Sequence, residues 1–476
     1  MTRTPNLTGA RKAIATLGKQ ATTIIAIAPP ASPRTLALPR DPRYRSRLSF
    51  STSPDPAMTQ LASHPSLAPF ADRTADPLAL GFAPDRLARI SAWMRRYVDA
   101  GKLPYLTTLI ARDGEIAFLD ACGSGDPDNG TATPPIDHIA RFYSMTKPIT
   151  TVAAMTLLEE GRLQLDDPVA KFIPEFGDTQ VYVSGPYGDM ETEPQHSPMT
   201  VRQLMTHSAG LTYGLFDPGP VGEAYRKASI NFGASKGSLA EMAAAAASVP
   251  LCYQPGSKWT YSVATDVLGR VVEVVAGQPL DQVFQERILG PLGMVDTAFG
   301  VPADKSDRLV ACYEKTATAL MKRVEGGGDS RFAGTPAIFS GGGGLVSTIP
   351  DYLRFTEMLR RGGALGGVRV LGRKTVDLMM TNHLPGDIAS MGVETFSEMP
   401  MVGMGFGLGG SILLDTARAQ VLGSAGEFAW GGLASTGFWI DREEGISAII
   451  VSQLVPSSSW PIRRELRNLT YQALVD

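Results

Sequence analysis

Apolar side chains recur at Leu87, Ile90, Met94 and Tyr97, a spacing that predicts a helix over residues 84–100, with Gly101 placed to end it. The pattern then changes. Residues 105–112 and 115–121 are β-rich runs joined only by Asp113-Gly114, the two-residue link of a tight hairpin. Helical periodicity returns over 146–160, 201–207, 239–248, 262–276 and 280–289. Two of these runs open on capping boxes, Thr200 with Gln203 and Ser238 with Glu241. A second hairpin is predicted from 436–441 and 446–452, and a last helix over 461–475. Strands near both ends with helices between them describe an α+β protein. The expected plan is an antiparallel sheet assembled from both ends of the chain, flanked by helices, with a mostly helical subdomain inserted in the middle. There is no internal repeat.

Composition alters this picture only at the N-terminus. The 476-residue chain is 43% hydrophobic and 19% charged, ordinary for a globular protein with a large core. Residues 1–57 stand apart. They carry nine lysines and arginines against Asp41 and Asp55, are rich in Pro, Ser and Thr, and keep no period. They are expected to form a disordered basic extension ahead of one domain over 58–476. An apolar run at 21–28 follows basic residues, but Pro29-Pro30 ends it early. A secretory signal is therefore the weaker reading and a cytoplasmic location the expected one. A translation start at Met58 is the other account of the extension.

Several function classes fall away. A net charge of -3 provides no basic field for nucleic acid. No apolar run is long enough to cross a bilayer as a helix. Cys122, Cys252 and Cys312 are far apart, with neither CxxC nor His/Cys ligand spacing. No metal site, disulfide framework or cofactor is expected; buried, inert thiols are.

Three short stretches carry candidate chemistry. Ser144-Met145-Thr146-Lys147 opens the helix through Ile149, Val152 and Leu157. Pro148 is tolerated only near a helix start, which places Ser144 at or just before the first turn. Residues three apart share a helix face, so the hydroxyl and the amine can meet. The helix N-terminus favours developing negative charge, and burial makes a lysine a competent base. Alone, a Ser-x-x-Lys tetrapeptide more often means a capped helix with a surface lysine. The second stretch is Pro255-Gly256-Ser257-Lys258-Trp259-Thr260-Tyr261-Ser262, a turn leading into a helix. Tyr261 there is either a core ring or the second proton carrier a lysine-assisted serine needs. The third is Trp430-Gly431-Gly432, just before a strand, where glycines let backbone N–H groups approach a substrate closely.

In order, spacing and flanks these stretches resemble the serine β-lactamase and penicillin-binding protein superfamily, and within it family VIII carboxylesterases, which are class C β-lactamase-like. The segments 204–211, 157–167 and 341–355 support the likeness, which extends from Phe82 to the C-terminus. It implies a β-lactamase-like fold. It also implies that Ser144 forms an acyl-enzyme, that Lys147 and Tyr261 share the proton work, and that the backbone N–H groups of Ser144 and Leu433 make the oxyanion hole. Trp430, Gly431 and Gly432 would line the substrate site, and the partner would be a small-molecule ester, short in its acyl chain. Two departures point away from antibiotics. Tyr261-Ser262-Val263 stands where lactamases have Tyr-x-Asn, and Trp430-Gly431-Gly432 where they have Lys-Thr-Gly. The first loses an amide, the second a cation that could pair with a β-lactam carboxylate.

Rival readings are narrower. Gly233-Ala234-Ser235-Lys236-Gly237 has the form of a nucleophile elbow, but no strand precedes it and the next helix has its own cap at Ser238. A Ser-His-Asp triad finds no motif around His64, His138, His196 or His383, and His207, at a helix end, reads as a structural hydrogen-bonder. On the same serine, a β-lactamase, a D-Ala-D-Ala peptidase or an acyltransferase remain the alternatives. A silent binding protein would have no need of Ser144, Lys147 and Tyr261 together.

Overall fold

The fold is a computed structural model that describes residues 76–230, 237–327 and 330–476. The basic extension, Met58, His64 and the Gly-x-Ser-x-Gly stretch through Lys236 lie outside the described residues. In chain order the principal elements are α1 (Pro84–Asp99), β1 (Tyr105–Arg112), β2 (Glu115–Gly123), α2 (Thr146–Glu159), α3 (Val201–Met205), α4 (Leu239–Ala247), α5 (Ala264–Ala276), α6 (Ile349–Arg360), β3 (Met404–Phe406), β4 (Ser411–Leu413), β5 (Phe428–Gly432), β6 (Thr436–Asp441), β7 (Ile446–Val451) and α7 (Ile462–Tyr471).

The seven strands form one antiparallel sheet in the order β3-β4-β5-β6-β7-β1-β2. Strands from early and late in the described sequence meet where β1 pairs with β7, Thr107 opposite Val451. At the first hairpin Asp113 and Gly114 both take positive φ, 53° and 84°, which a two-residue I′ link requires. Both capping boxes form reciprocally, at Thr200/Gln203 and Ser238/Glu241.

Both sheet faces are covered. Ile110, Trp439, Ala448 and Ile450 pack with Ile90 and Trp93 of α1 and Leu466 of α7. Leu109, Phe438 and Ile449 pack on the other side with Ile149 of α2 and Tyr352 and Met358 of α6. Each Leu, Ile, Phe or Met side chain so removed from water contributes about 1.5–3 kcal/mol. Helix α2 is buried at every position from Thr146 to Leu157 and packs against α5. A helix with no solvent face must satisfy its polar side chains internally, and it does: Thr150 donates to the Gly341 carbonyl at 2.6 Å and Thr151 to that of Lys147 at 3.0 Å.

Two expected elements change. The helix over 280–289 is interrupted: Leu280–Phe284 is α-helical, Gln285–Leu289 forms a π turn, and Gly290–Leu292 resumes. Pro291 has no N–H to continue the regular ladder. Trp430-Gly431-Gly432, expected as the approach to a strand, is itself the end of β5. Burial pushes the Cys122 and Cys312 thiols up to about 11, in keeping with inert cysteines. No described helix is long and apolar enough to cross a membrane.

Candidate active site

Ser144 sits in a 3-10 turn, Tyr143–Met145, that leads directly into α2. Tyr143 has φ 45°, a left-handed conformation that costs a bulky residue about 1–3 kcal/mol. Its surroundings hold it there. The Thr146 hydroxyl donates to the Tyr143 carbonyl at 2.6 Å and accepts the Leu345 N–H at 3.1 Å. This sharp entry turns Ser144 out of the helix line and towards a cavity, while Lys147 stays fully buried one turn on.

The three residues expected to act together are brought together. The Tyr261 hydroxyl lies 2.6 Å from Ser144 Oγ, and Lys147 Nζ lies 3.3 Å from it. Nζ also donates to the Tyr213 hydroxyl at 3.2 Å and to the Gly342 carbonyl at 2.7 Å, and stands 4.6 Å from the Tyr261 ring centre. Tyr213, Gly342 and Asp266 were not legible as site residues. Asp266, on α5, is wholly buried and its Oδ1 accepts from Ser340 Oγ at 2.5 Å and from the Gly342 N–H at 3.0 Å. Burial pushes its carboxyl up, against the pull of Lys147 and of those two hydrogen bonds. The Gly342 peptide thus links a buried acid to the lysine, its N–H on one and its carbonyl on the other. A Cβ at Gly342 would stand 2.4 Å from Asp266 Oδ2, so only glycine fits.

His207 lies behind Tyr261, ring centres 4.9 Å apart, with Nδ1 3.3 Å from Ser262 Oγ. Burial, then the charge of Lys147, drives its pKa well below the ordinary range, so it is a neutral packing ring. His138 is buried elsewhere, between the Pro135 carbonyl (2.6 Å) and the Tyr105 hydroxyl (3.1 Å).

Ser144 and Tyr261 face a cavity of about 420 Å³ whose wall includes Trp430, Gly431, Gly432 and Leu433. Trp430 stacks on Phe396 at 12° between planes and meets Tyr261 at 5.6 Å. Its indole N–H is buried without a partner, so the cavity receives the ring and not the donor. Phe216, Met399, Met401 and Met404 extend the apolar wall. The two glycines make room for the protein itself. A Cβ at Gly432 would stand 2.3 Å from the Phe142 carbonyl, so glycine lets β5 approach the turn that carries Ser144. A Cβ at Gly431 would stand 2.7 Å from Cζ of Arg463. The two arginines at the wall are each committed to a carboxylate, Arg463 to Glu398 and Arg467 to Glu427. Among the described residues no cluster of side chains is arranged to hold a metal ion.

Known proteins share this arrangement of chain. Esterase EstB from Burkholderia gladioli is 30% identical over 413 residues, covering 83% of this chain and 98% of its own. An uncharacterized protein from Mycobacterium tuberculosis is 35% identical over 374 residues, covering 77% of this chain and 90% of its own. Among solved structures, EstCE1, described as a hydrolase with promiscuous acyltransferase activity, matches with a TM-score of 0.69 at 29% identity, over 81% of this chain and 99% of that one. Residues 90–472 match the family described as Beta-lactamase, a span that takes in the sheet, the Ser144 turn and helix α7. On that match, this chain belongs to the β-lactamase family.

Proposed function

We propose that this protein hydrolyses carboxylic esters with short, neutral acyl groups through an acyl-enzyme on Ser144. The observation that carries the reading is the contact of Ser144 Oγ with Tyr261 at 2.6 Å and Lys147 at 3.3 Å, at the mouth of an apolar cavity. The Ser144 proton passes to the Lys147/Tyr261 pair as Oγ attacks the ester carbonyl. The N–H groups of Ser144 and Leu433 receive the oxyanion. Tyr261, nearest to Oγ, returns the proton to the departing alcohol. Water then repeats the sequence on the acyl-enzyme and releases the acid. Preference for a neutral acyl group follows from the wall: Trp430 stands where a cation would pair with a substrate carboxylate, and both wall arginines are already paired.

Turnover of p-nitrophenyl butyrate tests this. Ser144→Ala is expected to remove it while the protein stays folded, and a phosphonate probe is expected to label Ser144 in the wild type alone. Ser235→Ala is expected to keep wild-type turnover. Ester hydrolysis by folded Ser144→Ala protein would sink the assignment.

A second reading, acyl transfer to an alcohol, draws on the likeness to EstCE1. It uses the same acyl-enzyme with an alcohol in place of water, and products formed in the presence of added alcohol distinguish the two.

A further inference from the structure

Arg463, on α7, lies over the end of β5 with all three guanidinium nitrogens engaged. Nη2 donates to the Gly432 carbonyl at 3.0 Å and Nε to the Thr436 carbonyl at 3.0 Å. Nη1 meets both oxygens of Glu398, at 3.1 and 3.2 Å. The ladder is shaped to receive it. Gly431 and Gly437 face each other across β5 and β6, and a Cβ on either would stand 2.7 Å from Cζ or 3.1 Å from Cδ of Arg463.

This end of β5 needs support. Strand β4 pairs with β5 only at Phe428 and Ala429, so from Trp430 onward one edge of β5 has no ladder partner among the described residues. The Gly432 carbonyl and the Leu433 N–H belong to one peptide group. In a planar trans peptide the two point in opposite directions, so fixing the carbonyl fixes the aim of the N–H. A charge-assisted bond to the carbonyl also polarises the group and strengthens its N–H as a donor. Glu398 holds the far side of the guanidinium from the turn of a two-stranded ribbon, Thr395–Phe396 with Met399–Pro400, which brings Phe396 to the cavity.

We propose that Arg463 is a positioning residue: it clamps the Gly432–Leu433 peptide so that the Leu433 N–H faces the oxyanion, and through Glu398 ties that strand end to the ribbon carrying Phe396. The proposal rests on the esterase reading. A clamp fits Arg463 better than substrate binding because Glu398 and two carbonyls already engage each of its three guanidinium nitrogens.

The test compares kcat, KM and Tm with p-nitrophenyl butyrate for wild type, Ser144→Ala, Arg463→Met, Arg463→Lys, Gly431→Ala and the Gly431→Ala/Arg463→Met double variant. The oxyanion exists only in the transition state, so Arg463→Met is expected to lower kcat about 10- to 100-fold with KM within about threefold. Arg463→Lys, which can still reach one carbonyl, is expected to recover part of the loss. Gly431→Ala is expected to reproduce it by displacing the guanidinium, yet to add less than about twofold once Arg463 is Met. Folded Arg463→Met protein with wild-type kcat, or Gly431→Ala and Arg463→Met losses that multiply, would overturn the proposal. Should Arg463→Met not fold, an unchanged kcat in Gly431→Ala overturns it instead. Wild-type turnover that does not depend on Ser144 overturns the esterase reading and this proposal with it. Ser144-dependent turnover that is indifferent to Arg463 overturns the clamp alone.

Discussion

Replacing Tyr261 by Phe removes one oxygen and leaves the ring. The ring contacts remain, with centres 4.9 Å from His207, 5.3 Å from Tyr213, 4.9 Å from Phe396 and 5.6 Å from Trp430. The loss to stability is one hydroxyl hydrogen bond, about 0.5–1.5 kcal/mol, so the protein stays folded. The loss to chemistry is larger, because that oxygen sits 2.6 Å from Ser144 Oγ, within reach of its proton. Positioned proton transfer contributes about 10²–10⁴ in rate, or about 3–5 kcal/mol of barrier. Lys147→Ala is expected to cost a similar factor in rate, but by a different balance. Its Nζ is buried, is hydrogen-bonded to Ser144, Tyr213 and Gly342, and lies within electrostatic reach of the buried Asp266. Removing it leaves buried acceptors at Tyr213 and Gly342 without that donor and takes a positive group from near Asp266, so a drop in Tm is expected beside the loss of rate. The decisive measurement is the double variant, assayed for p-nitrophenyl butyrate hydrolysis beside Tm. If both groups serve one relay, the double variant is expected to be within about tenfold of the worse single. Losses that multiply would refute the shared relay, and a Tyr261→Phe variant with near wild-type kcat would refute the role of the hydroxyl.

Three further expectations follow from the same structure. A butyrate ester is expected to exceed a chromogenic cephalosporin in kcat/KM on one preparation, and Trp430→Lys to move the ratio towards the cephalosporin; equal or better cephalosporin turnover by the wild type would favour a β-lactamase instead. A chain beginning at Met58 is expected to keep full solubility and activity, and a lower rate or precipitation on truncation would refute that. Burial lowers the His138 pKa to about 4, so its neutral form belongs to the folded state. As pH falls from about 6.5 to about 4 the unfolded chain gains a proton the native one does not, and roughly 3 kcal/mol of stability is lost across that window. His138→Gln is expected to flatten the pH dependence of the urea unfolding free energy there, and an unchanged slope would show that other groups set it.

The chemistry was most legible where it is local. Ser144 and Lys147 are one helical turn apart, so their meeting follows from helix geometry, and Pro148 marks where that helix begins. Asp113-Gly114, Thr200/Gln203 and Ser238/Glu241 are local too, and each forms as its residues dictate. Tyr261, 117 residues from Ser144, was reached by resemblance and not by spacing. What the tertiary structure alone decided is long-range. Gly342 comes to Lys147 across 195 residues, and Asp266 to Gly342 across 76. The strands at Met404–Phe406 and Ser411–Leu413 are three residues each, too brief for a period of two to register; they are strands because β5 pairs with the second and the second pairs with the first. Arg463 is one of three arginines in the helix predicted over 461–475, and nothing in that segment sets it apart. Only folding sets it over two facing glycines, at the peptide expected to hold the oxyanion, because a side chain's partners across a sheet depend on register and on what packs above it, and neither is written within one helix's own sequence.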